Sequence, residues 1–308
     1  MPDRPLALEL EAAAVPDASD VRDYWVLLKP NVMSLVVFSA TAGLYLAPGT
    51  LHPLLMAVAI LCIAVAAGAA AAINNSYDAD IDRLMARTRR RPTATGRIRP
   101  EDALAFGLIL ACMSVMVMGL ALNWVAAAVL VVTIAFYVLV YTMWLKRRTP
   151  QNIVIGGAAG ALPPIAGWAA VTGDVTLAPI ALFLIIFVWT PPHFWALSLE
   201  RSHDYARVGV PMLPVVAGQE KTRRQILAYT LALLPVGLLP WWLGVASWPY
   251  ALAALGLGAG FVRLALRLWR HGDDRTALRT FRYSLVYLFG LFLALMLDKA
   301  IRTWGPAW

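Results

Sequence analysis

The sequence predicts an all-α, polytopic membrane protein, because its composition is strongly apolar and its charges leave long runs free. Hydrophobic residues make up 60% of the 308 residues and charged residues 14%, against roughly 25% in soluble domains. The mean hydropathy is +0.68. Residues 30–77, 103–145 and 225–262 contain no charged side chain, and residues 149–199 contain only Asp174. This composition excludes a soluble globular domain and a disordered chain.

Nine membrane-spanning helices are predicted from these runs. A spanning helix needs about 20 apolar residues, so each of the four long runs fits a pair of helices, and residues 283–297 fit a ninth. Turn-forming residues divide the pairs at 48–53, 123–124, 172–174 and 247–249. Since the runs do not alternate in polarity, a β-barrel is disfavoured.

A faint repeat divides the predicted bundle into two four-helix units and a ninth helix. Lys29-Pro30 opens the first helix and Lys146 to Pro150 opens the fifth. We therefore expect one transmembrane domain over residues 24–304. An N-terminal cytoplasmic tail (1–23) and a short C-terminal tail (305–308) would flank it.

The basic residues predict the orientation. Of the 26 lysines and arginines, all but Lys299 and Arg302 lie before the first helix or in every second connection. The positive-inside rule places that end in the cytoplasm, with the C terminus in the periplasm. The net charge of +8 then describes a basic inner face and gives no reason to expect nucleic acid. The acidic first twenty residues resemble neither a signal peptide nor a presequence, which favours a bacterial inner membrane protein.

Acidic residues are concentrated where the second and sixth predicted helices reach the basic side. Asn74, Asp78 and Asp82 are spaced by four, so on a helix continuing through Arg83 they share one face. Glu200 and Asp204 show the same spacing at the end of the sixth helix. Like charges at this spacing repel each other, and a divalent cation would offset the repulsion. Oxygen ligands alone favour Mg²⁺, held by Asn74, Asp78, Asp82 and Asp204.

Cationic side chains near these acids would bind a metal-chelated diphosphate. The candidates are Lys29, Arg83, Arg87, Lys146 and Arg147. Arginine binds phosphate oxygens in a bidentate manner and lysine acts as a point charge. Two other interpretations remain open. The acids could only solvate helix ends, or they could belong to an ion-coupled transporter, whose carboxylates are expected deeper inside helices.

These motifs resemble those of the UbiA-type intramembrane prenyltransferases. Asn74-Asn75-x-x-Asp78-x-x-x-Asp82 is similar to the family's first aspartate-rich motif, and Glu200-x-x-x-Asp204 stands at the second. The strings TPPHFW (190–195) and VPMLPVV (210–216) resemble the heme-farnesylating branch of that family. Asn31 stands where arginine is expected, and Glu200 stands where many members have aspartate.

The resemblance implies a Mg²⁺-dependent transfer of farnesyl from farnesyl diphosphate to a vinyl group of heme b, with addition of water, giving heme O. It implies catalytic roles for Asn74, Asp78, Asp82, Glu200 and Asp204. His193 and Trp195 would bind heme, although His193 could instead only orient the backbone. The implied partners are the two substrates, the bilayer, and a second copy or a heme A synthase. An aromatic quinone precursor as acceptor remains the alternative within the family.

Overall fold

The chain is entirely helical over the part that the structure describes. In this computed structural model these are residues 19–304, the side chains of Asn31 and Trp304 excepted. The helices are α1 Val21–Leu27, α2 Pro30–Leu46, α3 Pro53–Tyr77, α4 Ala79–Leu84, α5 Pro92–Thr95, α6 Pro100–Ala121, α7 Trp124–Ala135 continued by a π-helix Phe136–Leu145, α8 Asn152–Ala161, α9 Pro163–Thr172, α10 Leu177–Glu200, α11 Ser202–Arg207, α12 Leu213–Val216, α13 Gly218–Gly237, α14 Leu239–Trp242, α15 Trp248–His271 and α16 Asp274–Trp304. The predicted tail residues 1–18 and 305–308 lie outside the described residues.

Eight helical segments within residues 19–304 are long and apolar enough to span a membrane, which confirms the polytopic all-α fold. They are Pro53–Tyr77, Pro100–Ala121, Trp124–Leu145, Asn152–Thr172, Leu177–Glu200, Gly218–Trp242, Trp248–His271 and Asp274–Thr303. A ninth is obtained when α1 and α2 are counted as one span. These two helices meet at a bend of 58°. The predicted number of nine therefore depends on how this bent pair is counted.

The predicted turns separate the spans where expected. Asn123 caps α7, since its side-chain oxygen accepts from the Ala126 amide at 2.8 Å. Its amide nitrogen donates to the Ala169 carbonyl at 2.9 Å, which joins this turn to α9. Gly173 ends α9 in the left-handed region, with φ of 66°, a conformation that glycine adopts without steric cost.

The predicted connection over residues 263–282 is wrong. Helix α15 continues to His271 and α16 begins at Asp274, so only a two-residue turn separates them. The charged residues in this range predicted a loop. A long arginine side chain can, however, remain on a helix and extend its head group toward water. As a consequence, Arg263, Arg267 and Arg270 are exposed on α15, within the membrane-spanning segment Trp248–His271.

The two acidic motifs do not lie on continuous helices, contrary to the prediction. Helix α3 ends at Tyr77 and Asp78 has φ of −91° and ψ of 5° before α4 begins. The Tyr77 carbonyl accepts from the Arg147 guanidinium at 3.1 Å, which replaces a bond along the helix. Arg201 likewise separates α10 from α11. These breaks place Asp78 at the junction of α3 and α4 and Asp204 on the separate short helix α11.

Small residues allow the helices of the bundle to approach closely. A Cβ atom on Gly43 would lie 2.1 Å from the Pro164 carbonyl oxygen, and one on Gly167 would lie 2.1 Å from that of Ala40. Helices α2 and α9 therefore touch along their backbones. At the end of the bundle away from the acidic motifs, Lys299 donates to the carbonyls of Tyr45 and Ala47 at 2.7 and 2.9 Å, which ties α16 to the end of α2.

Candidate active site

The π-helix turns two polar side chains toward α3. The Thr142 hydroxyl donates to the Tyr137 carbonyl at 2.9 Å, and the Lys146 amide donates to the Tyr141 carbonyl at 2.9 Å, both across five residues. The wider turn changes which residues face inward, compared with a regular α-helix. Thr142 consequently contacts Asn74 of α3, and Lys146 contacts Asp78 directly after it.

Asn74 joins three separate parts of the chain. Its amide nitrogen donates to the Asp78 carboxylate at 2.7 Å and to the Thr142 hydroxyl at 3.1 Å. Its oxygen accepts from the Lys29 ammonium at 2.9 Å. The side chain is only 3% exposed, so these bonds decide its orientation. Asn74 therefore connects the start of α2, the end of α3 and the π-helix.

Asp78 is completely buried, yet one of its oxygens has no hydrogen-bond partner. Oδ2 forms a salt bridge with the Lys146 ammonium and accepts from Asn74. Oδ1 accepts no hydrogen bond, and the Arg147 guanidinium lies 3.7 Å from it. A buried carboxylate oxygen without a hydrogen-bond partner is costly for stability and points to a ligand site.

Arg147 is held beside Asp78 by the neighbouring Asp80. Two guanidinium nitrogens donate to the two Asp80 oxygens, each at 2.7 Å. These hydrogen bonds lower the pKa of Asp80 below its ordinary value, because they stabilise the carboxylate form. The guanidinium also lies over the Tyr77 ring, 5.0 Å from its centre. Asp80 thus positions a cation that the sequence predicted to bind diphosphate.

Asp82 pairs with Arg91, a residue that the sequence analysis missed. The Arg91 guanidinium donates to Asp82 at 2.6 Å and to the Asn75 oxygen at 3.2 Å. The Asn75 amide in turn donates to the Leu27 carbonyl at 3.1 Å. Arg91 ends a run of three arginines directly before Pro92, and this position was the available signal. Thr142 was also missed, and no sequence pattern indicated the π-helix that places it.

Lys29 has a strained backbone. Its φ of 53° and ψ of 57° lie in the left-handed region, where it is the only non-glycine among the described residues. Such a conformation costs of order 1–3 kcal/mol and is found where the surrounding structure enforces it. Here it turns the chain from α1 into α2 while the side chain reaches Asn74.

The second acidic motif lies against the segment that follows Asp82. Asp204 accepts a hydrogen bond from the Ala86 amide at 3.2 Å. Glu200 and Asp204 line a cavity of about 450 Å³ together with Arg87, Arg201 and Arg207. Arg83 is exposed on α4 and forms no ion pair with the described residues. The structure thus brings one predicted cation, Arg87, to the second motif and leaves Arg83 apart.

The acids themselves are not gathered into one cluster. Among residues 19–304, no group of three or more His, Cys, Asp or Glu side chains is close enough to hold a single metal ion. Asp78 and Asp82 are instead each neutralised by a cation. The metal set that the sequence predicted stays a prediction.

His193 lies in a buried aromatic stack between α10 and α16. Its ring is 4.2 Å from that of Trp189 and 4.7 Å from that of Phe281, and its Nδ1 lies 2.6 Å from the Ser284 hydroxyl. Since that hydroxyl donates to the Phe281 carbonyl at 2.6 Å, Nδ1 carries the proton and donates to it. The other ring nitrogen, Nε2, is then the one able to accept a proton or bind a metal.

Trp195 belongs to a hydrophobic cluster against which Phe281 of the stack also packs. It packs edge-to-face on Tyr229 with 5.4 Å between ring centres, in a cluster with Ile226 and Leu268. Two residues on a helix point about 200° apart, which explains why His193 and Trp195 face different neighbours. The prediction that these two residues bind one heme stays a prediction.

The fold and the motifs agree with comparisons to known proteins. The sequence model of the UbiA prenyltransferase family matches residues 36–295. The chain belongs to the UbiA prenyltransferase family. This assignment makes the protein a prenyltransferase and decides against the ion-coupled transporter.

Two similar family members are named for a specific reaction. A protein called "Protoheme IX farnesyltransferase" from Parvibaculum lavamentivorans is 56% identical over 100% of this chain and 98% of its own length. A "Protoheme IX farnesyltransferase 2" from Mesorhizobium japonicum is 57% identical over 91% of this chain and 90% of its own.

Solved structures of the UbiA family share the fold. A digeranylgeranylglyceryl phosphate synthase matches with a TM-score of 0.75 at 18% identity, over 90% of this chain and 98% of that one. A UbiA homologue from Archaeoglobus fulgidus, bound to GPP and Mg²⁺, matches with a TM-score of 0.65 at 16% identity, over 89% and 99%. At these identities the likeness establishes the arrangement of helices alone.

Proposed function

We propose that this chain transfers the farnesyl group of farnesyl diphosphate to a vinyl carbon of heme b, with water completing the addition to give heme O and diphosphate. The observation that carries this proposal is identity of 56% over the whole chain to a protein named for protoheme IX farnesylation. The strings TPPHFW and VPMLPVV support the same acceptor over an aromatic quinone precursor.

The cations around Asp78 would stabilise the leaving diphosphate. Breaking the allylic carbon–oxygen bond adds negative charge to the leaving group, and fixed positive groups in a water-poor site stabilise that charge strongly. Lys29, Lys146 and Arg147 already converge on Asn74 and Asp78. Arg87 approaches from the cavity of the second motif. We assign these four residues to diphosphate binding. Arg83 is exposed, and no ion pair with the described residues supports the same role for it.

The donor set around Asp78 fits a Mg²⁺ ion. The unpartnered Asp78 Oδ1 is a buried, anionic oxygen of the kind that Mg²⁺ prefers. Asn74 and Asp82 from the first motif and Glu200 and Asp204 from the second would complete the acidic and amide oxygen set. When bound, the ion would neutralise charge on the diphosphate. Lys146 and Arg91 also balance the charges of Asp78 and Asp82.

The apolar bundle would protect the farnesyl carbocation from water. Burying the reaction between helices excludes solvent, and aromatic faces stabilise positive charge. Trp189, His193 and Phe281 form a buried stack that could receive the planar, largely apolar heme. We propose that Nε2 of His193 contacts heme, because Nδ1 is occupied by Ser284. Trp195 would act only through packing.

The cellular setting follows from the same assignment. We propose that the domain over residues 24–304 lies in the bacterial inner membrane with its N terminus in the cytoplasm, since nearly all basic residues lie at the end that carries the acidic motifs. A second copy or a heme A synthase remains a predicted partner.

The proposal is tested by reconstituting the purified chain with farnesyl diphosphate, heme b and Mg²⁺, and analysing extracted heme by mass spectrometry. A farnesylated, hydrated heme is expected, and it should be absent without Mg²⁺. A parallel reaction replaces heme b with an aromatic quinone precursor. Prenylation of that precursor, with no adduct formed from heme b, would refute the acceptor while leaving the family assignment intact.

A further inference from the structure

A groove between α13 and α15 combines apolar walls with a row of arginines. Its volume is about 670 Å³. Leu234 of α13 and Leu255, Val262 and Leu266 of α15 are among its apolar lining residues. None of these residues takes part in the acidic site.

Three arginines of the groove share one face of α15. Arg263, Arg267 and Arg270 are spaced by four and three residues, which aligns them along the helix. Arg263 lies eight residues before the end of α15, about 12 Å along the helix axis. A guanidinium at this depth beside lipid is costly unless it reaches the head-group region or binds an anion.

Within residues 19–304 these three guanidiniums have no protein partner. No ion pair or hydrogen bond joins them to a described acid, and no residue lining the groove is acidic. The nearby Asp273 is engaged elsewhere, because its oxygens accept from the Thr276 amide and hydroxyl at 2.7 Å. In the acidic site, by contrast, the described arginines Arg91 and Arg147 pair with carboxylates.

We propose that this groove binds one anionic phospholipid. The phosphate would accept hydrogen bonds from Arg263, Arg267 and Arg270, since guanidinium groups match phosphate geometry. An acyl chain would lie along Leu255 and Leu234. From Leu255 to Arg267 the helix rises about 18 Å, close to one leaflet of a hydrocarbon core of about 30 Å. The excess positive charge favours an anionic head group over a zwitterionic one.

Native mass spectrometry of the purified full-length chain tests this proposal with phosphatidylglycerol and phosphatidylcholine of the same acyl chains. One phosphatidylglycerol per chain should be retained in preference to phosphatidylcholine. Arg263→Gln with Arg267→Gln should weaken phosphatidylglycerol binding by roughly 30-fold, which corresponds to about 2 kcal/mol at 1.4 kcal/mol per tenfold.

The matched control removes the same charge from the neighbouring helix. Arg275 and Arg279 are exposed on α16 and do not line the groove. Changing both to Gln should leave phosphatidylglycerol binding within twofold. Equal losses in the two double variants would overturn the proposal, because they would show an effect of net charge alone.

A second variant keeps the proposal testable if the arginine variant does not fold. Leu255→Trp fills the apolar part of the groove and leaves the arginines intact, so it should also release the lipid. Retention of phosphatidylglycerol by Leu255→Trp, or its displacement by an equal concentration of heme b or inorganic phosphate, would contradict a phospholipid site.

Discussion

Replacing Thr142 with valine tests whether the π-helix positions the acidic site. Valine has the same shape, and Thr142 is completely buried, so packing is kept while the hydroxyl is lost. The Asn74 amide then loses its 3.1 Å acceptor, although it still donates to Asp78. A buried donor left unsatisfied costs about 1–3 kcal/mol. If this cost destabilises the transition state, kcat/KM for farnesyl diphosphate decreases about 5- to 150-fold, at 1.4 kcal/mol per tenfold change.

The assay measures heme O formed by the reconstituted chain while farnesyl diphosphate and Mg²⁺ are varied. Thr142→Ser keeps the hydroxyl and should restore most of the rate, which a loss of packing alone would not explain. Thr230 is an equally buried threonine whose hydroxyl donates to the Ile226 carbonyl at 2.7 Å, away from the site. Thr230→Val should therefore stay within twofold of the unmodified protein.

Two results would refute this reasoning. The first is a Thr142→Val protein with unchanged dependence on both farnesyl diphosphate and Mg²⁺. The second is an equal loss in Thr230→Val, which would show that any buried hydroxyl matters and that Asn74 is not specifically oriented by Thr142.

Four further predictions use the same assay. Asp78→Asn should lower the rate about 100- to 1,000-fold, and a smaller loss would argue against Asp78 as the central carboxylate. Arg91→Gln should lower the Mg²⁺ requirement, because Asp82 loses the cation that competes with Mg²⁺ for its carboxylate, whereas Arg90→Gln, on an exposed neighbour, should not. The Asp80 pKa lies below its ordinary value of 3.8, so the pair with Arg147 is lost only as pH falls below that value. The rate profile between about pH 5 and 8 should then be the same in Asp80→Asn, and a new inflection there would contradict it. His193→Ala should raise the heme b concentration needed for half-saturation, and unchanged saturation would remove His193 from the heme site.

Much of the architecture could be predicted from the sequence because spanning a bilayer imposes a length of apolar chain. The uncharged runs and their turn residues predicted the spanning helices and their separations, and the positions of Asn123 and Gly173 agree with the structure. The prediction failed for residues 263–282, where arginines remain on α15 and α16. Charged side chains indicate where the chain reaches the membrane surface. They do not end a helix, because they do not interrupt its backbone hydrogen bonds.

The candidate site was predicted by residue type and only in part by arrangement. Asn74 and Asp78 lie four residues apart and contact each other as their spacing implied. Asp82 keeps the four-residue spacing, since its amide donates to the Asp78 carbonyl at 2.9 Å, but its carboxylate pairs with Arg91. Such partners lie outside the motif. Tertiary packing brings them close, and a local sequence pattern does not predict that packing.

The sequence by itself determined that the chain is a bundle of membrane helices, that its two acidic motifs and most of its cations share one end, and that its motifs resemble those of one prenyltransferase family. Those properties depend on composition and spacing along the chain. Only the tertiary structure decided that Lys146 and Arg91 neutralise the two aspartates, that Thr142 orients Asn74, and that Trp195 packs on Tyr229. Most of these contacts join residues far apart in sequence, and they depend on a π-helix and two helix breaks that place side chains by backbone geometry.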